Sequence, residues 1–330
     1  MSEIAFRAAI RDALDEELAA DPDVILFGED IAAAGGVWAT TPGLQQRHGA
    51  ERVFDTPISE LALTGAAFGS AACGKRPVIE IMFGDFLTLA SDGLINQAAK
   101  WWFLSGGTVP IPLVVRSAIG AGGQFGAIHS QTPISWFLGV PGMKIVCPST
   151  PNDAKALLRA AVRDDNPVLF LEHKRLYSIK GEVDVEPVEI GSARTVRAGS
   201  DLTLVTAMKS VHDSVAAAEE LASDGIEVEI IDLRTLRPLD FPTILASVKR
   251  TNRLLVVEEG PRTGGWAGEV LAEISELALE DLDDAWRLTC RDTAIPYSPP
   301  LEDEFLPTAA SIAASIRARM NGDAPSKESL

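Results

Sequence analysis

Short aliphatic runs alternate along this chain with segments of helical apolar spacing, and the alternation happens twice. In the first pass the strands fall at Val24 to Phe27, Val78 to Met82, Pro112 to Arg116, Met143 to Cys147 and Val168 to Glu172. The intervening helices are expected at Ile4 to Ala20, about Leu61 to Cys73, Leu87 to Leu104 and Asp153 to Arg163. From about Lys174 to Val196 the pattern weakens into charged sequence containing proline and glycine. It then restarts with strands at Leu202 to Thr206, Glu227 to Asp232, Arg253 to Glu258 and Trp286 to Cys290. The helices of this second pass are Val211 to Ala222, Pro242 to Arg250, Trp266 to Leu279 and Ala309 to Met320. Strands that are apolar on both faces belong in parallel sheets covered by helices on each side. The fold class is therefore two successive α/β domains with mainly parallel sheets, expected over 1–175 and 197–320 with a linker at 176–196 and a frayed tail at 321–330.

A chain of 330 residues suits about two such cores. Its formal charge of −18 argues against nucleic acid or an anionic membrane as the main partner and suits a basic protein. Cys73, Cys147 and Cys290 share neither metal-like nor CxxC spacing, so reduced core thiols are expected. The first residues interleave acids with apolar positions and read as neither signal nor transit peptide. No run approaches the ~20 apolar residues of a membrane span, and the cytoplasm is the expected compartment.

In open parallel sheets ligands bind beyond the carboxyl ends of the strands. Three features fall there. The first is Asp55 to Gly69, DTPISELALTGAAFG, which turns at Pro57, sets Glu60 at a helix start and continues through Gly65, Ala66, Ala67 and Gly69. Small residues at this density let a helix approach a neighbour closely. Glu60 is either a first-turn glutamate favoured by the helix dipole or a carboxylate in a dry seam, able to exchange protons near neutral pH. The second is Phe83 to Phe86, where Phe86 reads as core or as a stacking platform. The third is the loop Gly120 to Gly126 leading to His129, a lone histidine that reads as structural or catalytic. That loop fits neither GxGxxG before a helix nor GxxxxGK[ST], and HExxH, GxSxG and paired-cysteine sites are missing from the sequence.

FGEDI (Phe27 to Ile31), DTPISE (Asp55 to Glu60), INQAAK (Ile95 to Lys100), HSQ (His129 to Gln131), RDDNP (Arg163 to Pro167) and IDLRTLRPLD (Ile231 to Asp240) together resemble the beta subunits of thiamine-dependent 2-oxo acid dehydrogenases. That group includes the pyruvate, branched-chain 2-oxo acid and acetoin dehydrogenases. The resemblance runs in order from about Ile4 to Leu306, and Glu60, Gly65 and Gly69 fit the family's thiamine motif.

The resemblance implies a transketolase-like pairing of a pyrimidine-binding domain with a transketolase C-terminal domain. Glu60 would bond N1′ of the thiamine aminopyrimidine, Phe86 would stack on that ring and Ile58 would touch it. His129 would orient substrate and the incoming lipoyl arm. Main-chain carbonyls of Leu113, Ala161, Asp164 and Asn166 would match a monovalent cation site, potassium in relatives. The family's diphosphate motif, GDG with a later Asn, is replaced here by Gly84-Asp85-Phe86. Diphosphate and Mg²⁺ would then sit on a separate alpha subunit, in an α₂β₂ heterotetramer serving a lipoylated transacylase core. Gly93 stands where the family commonly has Gln, Trp101-Trp102 replaces a more polar pair and packing is the expected role, and Ala294 replaces a Pro. Pyruvate or acetoin is favoured as substrate. A branched-chain substrate, a transketolase-like sugar-phosphate enzyme and a non-catalytic scaffold subunit are the alternatives.

Overall fold

The structure is a computed structural model and describes residues 3–184 and 187–322. The expected tail, 321–330, lies outside the described residues from 323 onward.

A short strand β1 (Glu3–Ala5) opens the chain, followed by α1 (Phe6–Ala20), β2 (Val24–Gly28), α2 (Leu44–His48), β3 (Val53–Asp55), α3 (Glu60–Ala72) and β4 (Arg76–Ile81). Then come α4 (Leu87–Ser91), α5 (Ala99–Leu104), β5 (Val114–Ile119), α6 (Ile134–Leu138), β6 (Lys144–Val146), α7 (Pro151–Arg163) and β7 (Val168–His173). The second half holds β8 (Lys180–Glu182), β9 (Arg194–Arg197), β10 (Leu202–Thr206), α8 (Lys209–Ala222), β11 (Val228–Asp232), β12 (Thr235–Arg237), α9 (Phe241–Thr251) and β13 (Arg253–Pro261). It closes with α10 (Trp266–Ala278), β14 (Asp284–Cys290), α11 (Pro299–Phe305) and α12 (Ala309–Met320).

Two sheets carry the molecule. The first has the order β12-β6-β7-β5-β4-β2-β3, parallel except for β12, and the second has the order β14-β13-β10-β11-β9, parallel except for β9. The central strands β4, β5, β7, β10 and β11 are buried almost end to end, which explains their unbroken aliphatic runs. Successive strands leave β2 in opposite directions, β3 to one side and β4 to the other. The crevice beyond β2 and β4 is the topological switch point where such sheets accept ligands.

Several boundaries differ from the sequence reading for identifiable reasons. Val53 and Phe54, read as a lead-in to the Pro57 turn, form the edge strand β3. The third strand starts at Val114 and runs on to Ile119. The expected helix Leu87 to Leu104 is continuous, but Asp92–Ala98 is wound as π-helix. Gly93 lies in that segment, and a Cβ there would come within 2.7 Å of Thr64 Cγ2 on α3. Glycine at 93 thus lets the two helices cross closely, where a larger side chain has no room. The linker stretch carries two short strands, since β8 pairs with β1 and β9 edges the second sheet. Thr235–Arg237, inside the IDLRTLRPLD motif, crosses over to complete the first sheet beside β6. Where the two halves meet, Ser149 Oγ lies against carboxylates from both, 3.2 Å from Asp153 and hydrogen-bonded also to Asp232.

Candidate active site

Five side chains reach the carboxyl ends of the first sheet: Glu29 after β2, Glu60 after β3, Phe86 after β4, His129 after β5 and Lys174 after β7. The loop behind β2 is tied to the end of β3. Asp55 Oδ1 accepts from the Ala32 amide at 2.7 Å, and the Thr56 amide donates to the Gly28 carbonyl at 2.9 Å. Gly28 is required there, because a Cβ would sit 2.5 Å from the Glu80 carbonyl on β4. This stitching sets Glu29 against Glu60.

Both acids are buried, Glu29 at 1% exposure and Glu60 at 5%. Neither Glu29 oxygen has a hydrogen-bond partner among the described residues, although the Met82 amide lies near enough to offset part of the burial. Burial, reinforced by the Glu60 charge, pushes the Glu29 carboxyl up to about 7. A carboxyl there holds its proton near neutrality. Glu60 begins α3, whose first turn favours an acid through the helix dipole, as the first of the two sequence readings expects. Ile58, two residues before Glu60, is 72% exposed, and Leu61 on α3 and Leu89 on α4 are exposed as well.

Beneath the two acids lies a buried ion network. Arg116 donates to Glu80 at 2.7 Å and bidentately to Glu172 at 2.7 and 3.0 Å, and Tyr177 donates to Glu172 at 2.8 Å. One guanidinium serves two carboxylates, so negative charge remains in the sheet interior. Burial together with the remaining acid raises Glu172 despite Arg116, and burial raises Tyr177. Glu80 also keeps one oxygen without a partner among the described residues.

On the opposite wall Phe83, Phe86 and His129 form an edge-to-face cluster. The His129 ring lies 4.7 Å from Phe83 and 5.4 Å from Phe86, at near-perpendicular angles. Phe86 and His129 are both half-buried. The structure therefore joins Phe86 with His129 and Glu60 with Glu29, and the pairs are linked through the Met82–Phe83 backbone. In the loop Gly120 to Gly126 the amides of Gly120, Ala121, Gly122 and Gln124 are engaged within the chain. Ala121 donates to Glu259 at 2.7 Å, Gly122 to Glu302 at 2.9 Å and Gln124 to Glu302 at 3.1 Å.

The four carbonyls considered for a cation are differently placed. Those of Leu113, Ala161 and Asp164 already accept from the Val168 amide, the Asp164 amide and Arg76 Nη2 respectively. Each has one lone pair left. Among the described residues no group of three or more histidines, cysteines or carboxylates could hold a metal ion, and no helix is long and apolar enough to cross a membrane. Trp101 packs against Phe68 at 5.1 Å, but Trp102 is half-exposed and Phe103 is 86% exposed, so packing within this chain accounts for only one member of the Trp pair.

Glu29, Glu80, Arg116, Glu172 and Lys174 were not singled out from the sequence. Signals existed: an acid directly after an aliphatic run, and an arginine inside a strand buried on both faces.

Two family models cover most of the chain, the transketolase pyrimidine-binding domain over residues 2–180 and the transketolase C-terminal domain over 191–312. The acetoin:2,6-dichlorophenolindophenol oxidoreductase subunit beta of Cupriavidus necator is 45% identical, with 97% of this chain and 98% of that one aligned. The chain belongs to the transketolase-like beta subunits of 2-oxo acid and acetoin dehydrogenases. Other members of the family are the 2-oxoisovalerate dehydrogenase subunit beta of Bacillus subtilis, 42% identical over 96% of this chain and 98% of that one, and the pyruvate dehydrogenase E1 component subunit beta of the same organism, 41% identical over 96% and 98%. A solved split-gene transketolase, an inactive beta4 tetramer, matches with a TM-score of 0.81 at 21% identity, covering 96% of this chain and 99% of that one, and so shares the fold.

Proposed function

We propose that this beta subunit supplies the aminopyrimidine half of a thiamine diphosphate site in a pyruvate or acetoin dehydrogenase. The observation that carries this reading is the pair Glu29–Glu60: two buried acids at the sheet's switch point, one without hydrogen-bond partners among the described residues. An orphaned buried carboxyl such as Glu29 is costly, and a ring whose protonatable nitrogen bonds Glu60 would bring a polar ligand into the seam beside it. Bound there, thiamine diphosphate supplies the carbon nucleophile that decarboxylates a 2-oxo acid or cleaves acetoin.

Glu60 would hold the proton at N1′ of the aminopyrimidine, and Glu29 would keep a second proton close by and spare Glu60 a charged neighbour. Phe86 and Ile58 would flank the ring and exclude water. His129 would orient the substrate and the lipoyl group that receives the acyl product. Diphosphate and Mg²⁺ belong in this reading to an alpha subunit, in an α₂β₂ assembly bound to a lipoylated transacylase core in the cytoplasm. The exposed Ile58, Leu61, Leu89 and Phe103 are surfaces an alpha subunit would cover. Potassium at the Leu113, Ala161, Asp164 and Asn166 carbonyls would use their remaining lone pairs.

A sugar-phosphate activity of the transketolase kind would need an anion cradle near His129. The amides best placed for one are already bonded to Glu302 and Glu259. The test is turnover of pyruvate and of acetoin by this chain co-expressed with its alpha partner, with thiamine diphosphate and Mg²⁺. Turnover by the complex and none by the chain alone is the expected result. Activity from the isolated chain would refute the split site.

A further inference from the structure

The segment that carries His129 hangs on three carboxylates from three different elements. Asp85, from the turn after β4, accepts from the Gln131 amide at 3.3 Å and from Gln131 Nε2 at 2.8 Å. Glu259 of β13 accepts from the Ala121 amide, and Glu302 of α11 accepts from Gly122 and Gln124. Two of the three therefore reach across from the second half of the molecule. The charges of all three act on one ammonium group, Lys174. This lysine is largely buried, lies 5.4 Å from the centroids of both Phe83 and Phe125, and donates its hydrogen bond to the His129 carbonyl.

We propose that Lys174 is a positioning residue: its ammonium group balances Asp85, Glu259 and Glu302 and fixes the His129 main chain, so that the imidazole is presented edge-on to Phe83 and Phe86. The inference rests on the active-site reading above and extends it to the second half of the chain, which becomes a contributor to His129 geometry. Without the cation, three carboxylates would crowd one dry pocket and their repulsion would loosen the loop they hold. Glu259 is also served by His173, bonded at 2.8 Å, and by the Arg175 charge, so Lys174 bears chiefly on Asp85 and Glu302.

Burial lowers the Lys174 amine to about 8, with the three acids opposing that shift. Deprotonation above that pH removes the charge while leaving a donor in place. Turnover should accordingly fall on an alkaline limb near pH 8.

The experiment uses the complex with its alpha partner and the variants Lys174→Arg, Lys174→Met and Glu302→Gln. Lys174→Met is expected to lower kcat by roughly 10²-fold, the scale of a small misplacement, while thiamine diphosphate affinity stays within about twofold because Glu60 is untouched. Lys174→Arg, always charged, is expected to recover most of kcat and move the alkaline limb upward by at least about one pH unit. Hydrogen exchange of the Gly122 and Gln124 amides should speed up in Lys174→Met and in Glu302→Gln. Unchanged exchange, near wild-type kcat in Lys174→Met, or an alkaline limb that stays in place in Lys174→Arg overturns the proposal. If Lys174→Met does not assemble, Glu302→Gln decides by the same readings, with a smaller loss of kcat expected. A wild-type complex without thiamine-dependent turnover would refute the proposed function, and the exchange data would still report on the clamp.

Discussion

Glu29 and Glu258 make an instructive pair. Each follows or ends an aliphatic parallel strand, each is almost fully buried, and burial pushes each carboxyl up to about 7. Their surroundings are opposite. Glu258 accepts from the amides of Trp266 and Ala267 at 3.1 and 2.8 Å, closing the start of α10. Among the described residues Glu29 has no such partners, and it feels the charge of a second acid, Glu60. Burial and a raised pKa alone therefore do not identify a working carboxyl. Unused hydrogen-bonding capacity at a switch point is what separates Glu29, in the proposed site of the first sheet, from Glu258 in the second.

The sharpest way to break the contrast is to neutralise the acids in turn. Glu60→Gln in the complex with the alpha partner should cost roughly 10²–10⁴-fold in kcat, the usual range for losing a proton-handling group, and a variant with full turnover would end its assignment. Glu29→Gln should cost less, about tenfold, because it acts beside the reacting ring, and it should shift the acidic limb of the kcat profile. Its stability carries a second signature. Glu29 is protonated in the fold up to about 7 but ionises near 4.5 when unfolded. Its contribution is complete below 4.5 and is lost as pH climbs to about 7. Glu29→Gln should remove that part of the decline in denaturant midpoints measured across this window.

Away from both acids, Gly93→Ala should destabilise by about 1–3 kcal/mol through the clash with Thr64, seen as a lower melting temperature with thiamine diphosphate affinity little changed. The smallest effect belongs to Glu258→Gln, which keeps an acceptor for the two amides. About 1 kcal/mol of stability should go and kcat should hold, and a large kcat loss would erase the distinction drawn here.

Much of this was legible in the sequence. Unbroken aliphatic runs such as Val168 to Glu172 reveal doubly covered strands because burial on both faces permits little else. Glu60 stood out at the start of a small-residue helix, and Phe86 and His129 in loops beyond strand ends. The second acid did not, because although Glu29 directly follows the run Val24 to Phe27, its isolation is a three-dimensional property. Arg116 was absorbed into an apolar strand, and only Glu80 and Glu172 on the flanking strands explain a charge there. The Glu302 and Glu259 contacts span 180 and 138 residues, a separation at which no local pattern carries information. The π-wound turn at Asp92–Ala98 likewise meets a partner far off in sequence, Gly93 lying close against Thr64 of α3.

The strand Thr235–Arg237 lies in the second half of the chain yet seals the open margin of the first sheet beside Lys144–Val146. An exposed margin of that kind recruits other chains. A protein cut near residue 190 should then yield an amino-terminal piece that is sticky and prone to clump, however complete its own core. The two halves are buttoned together, and neither is a module to be lent out alone.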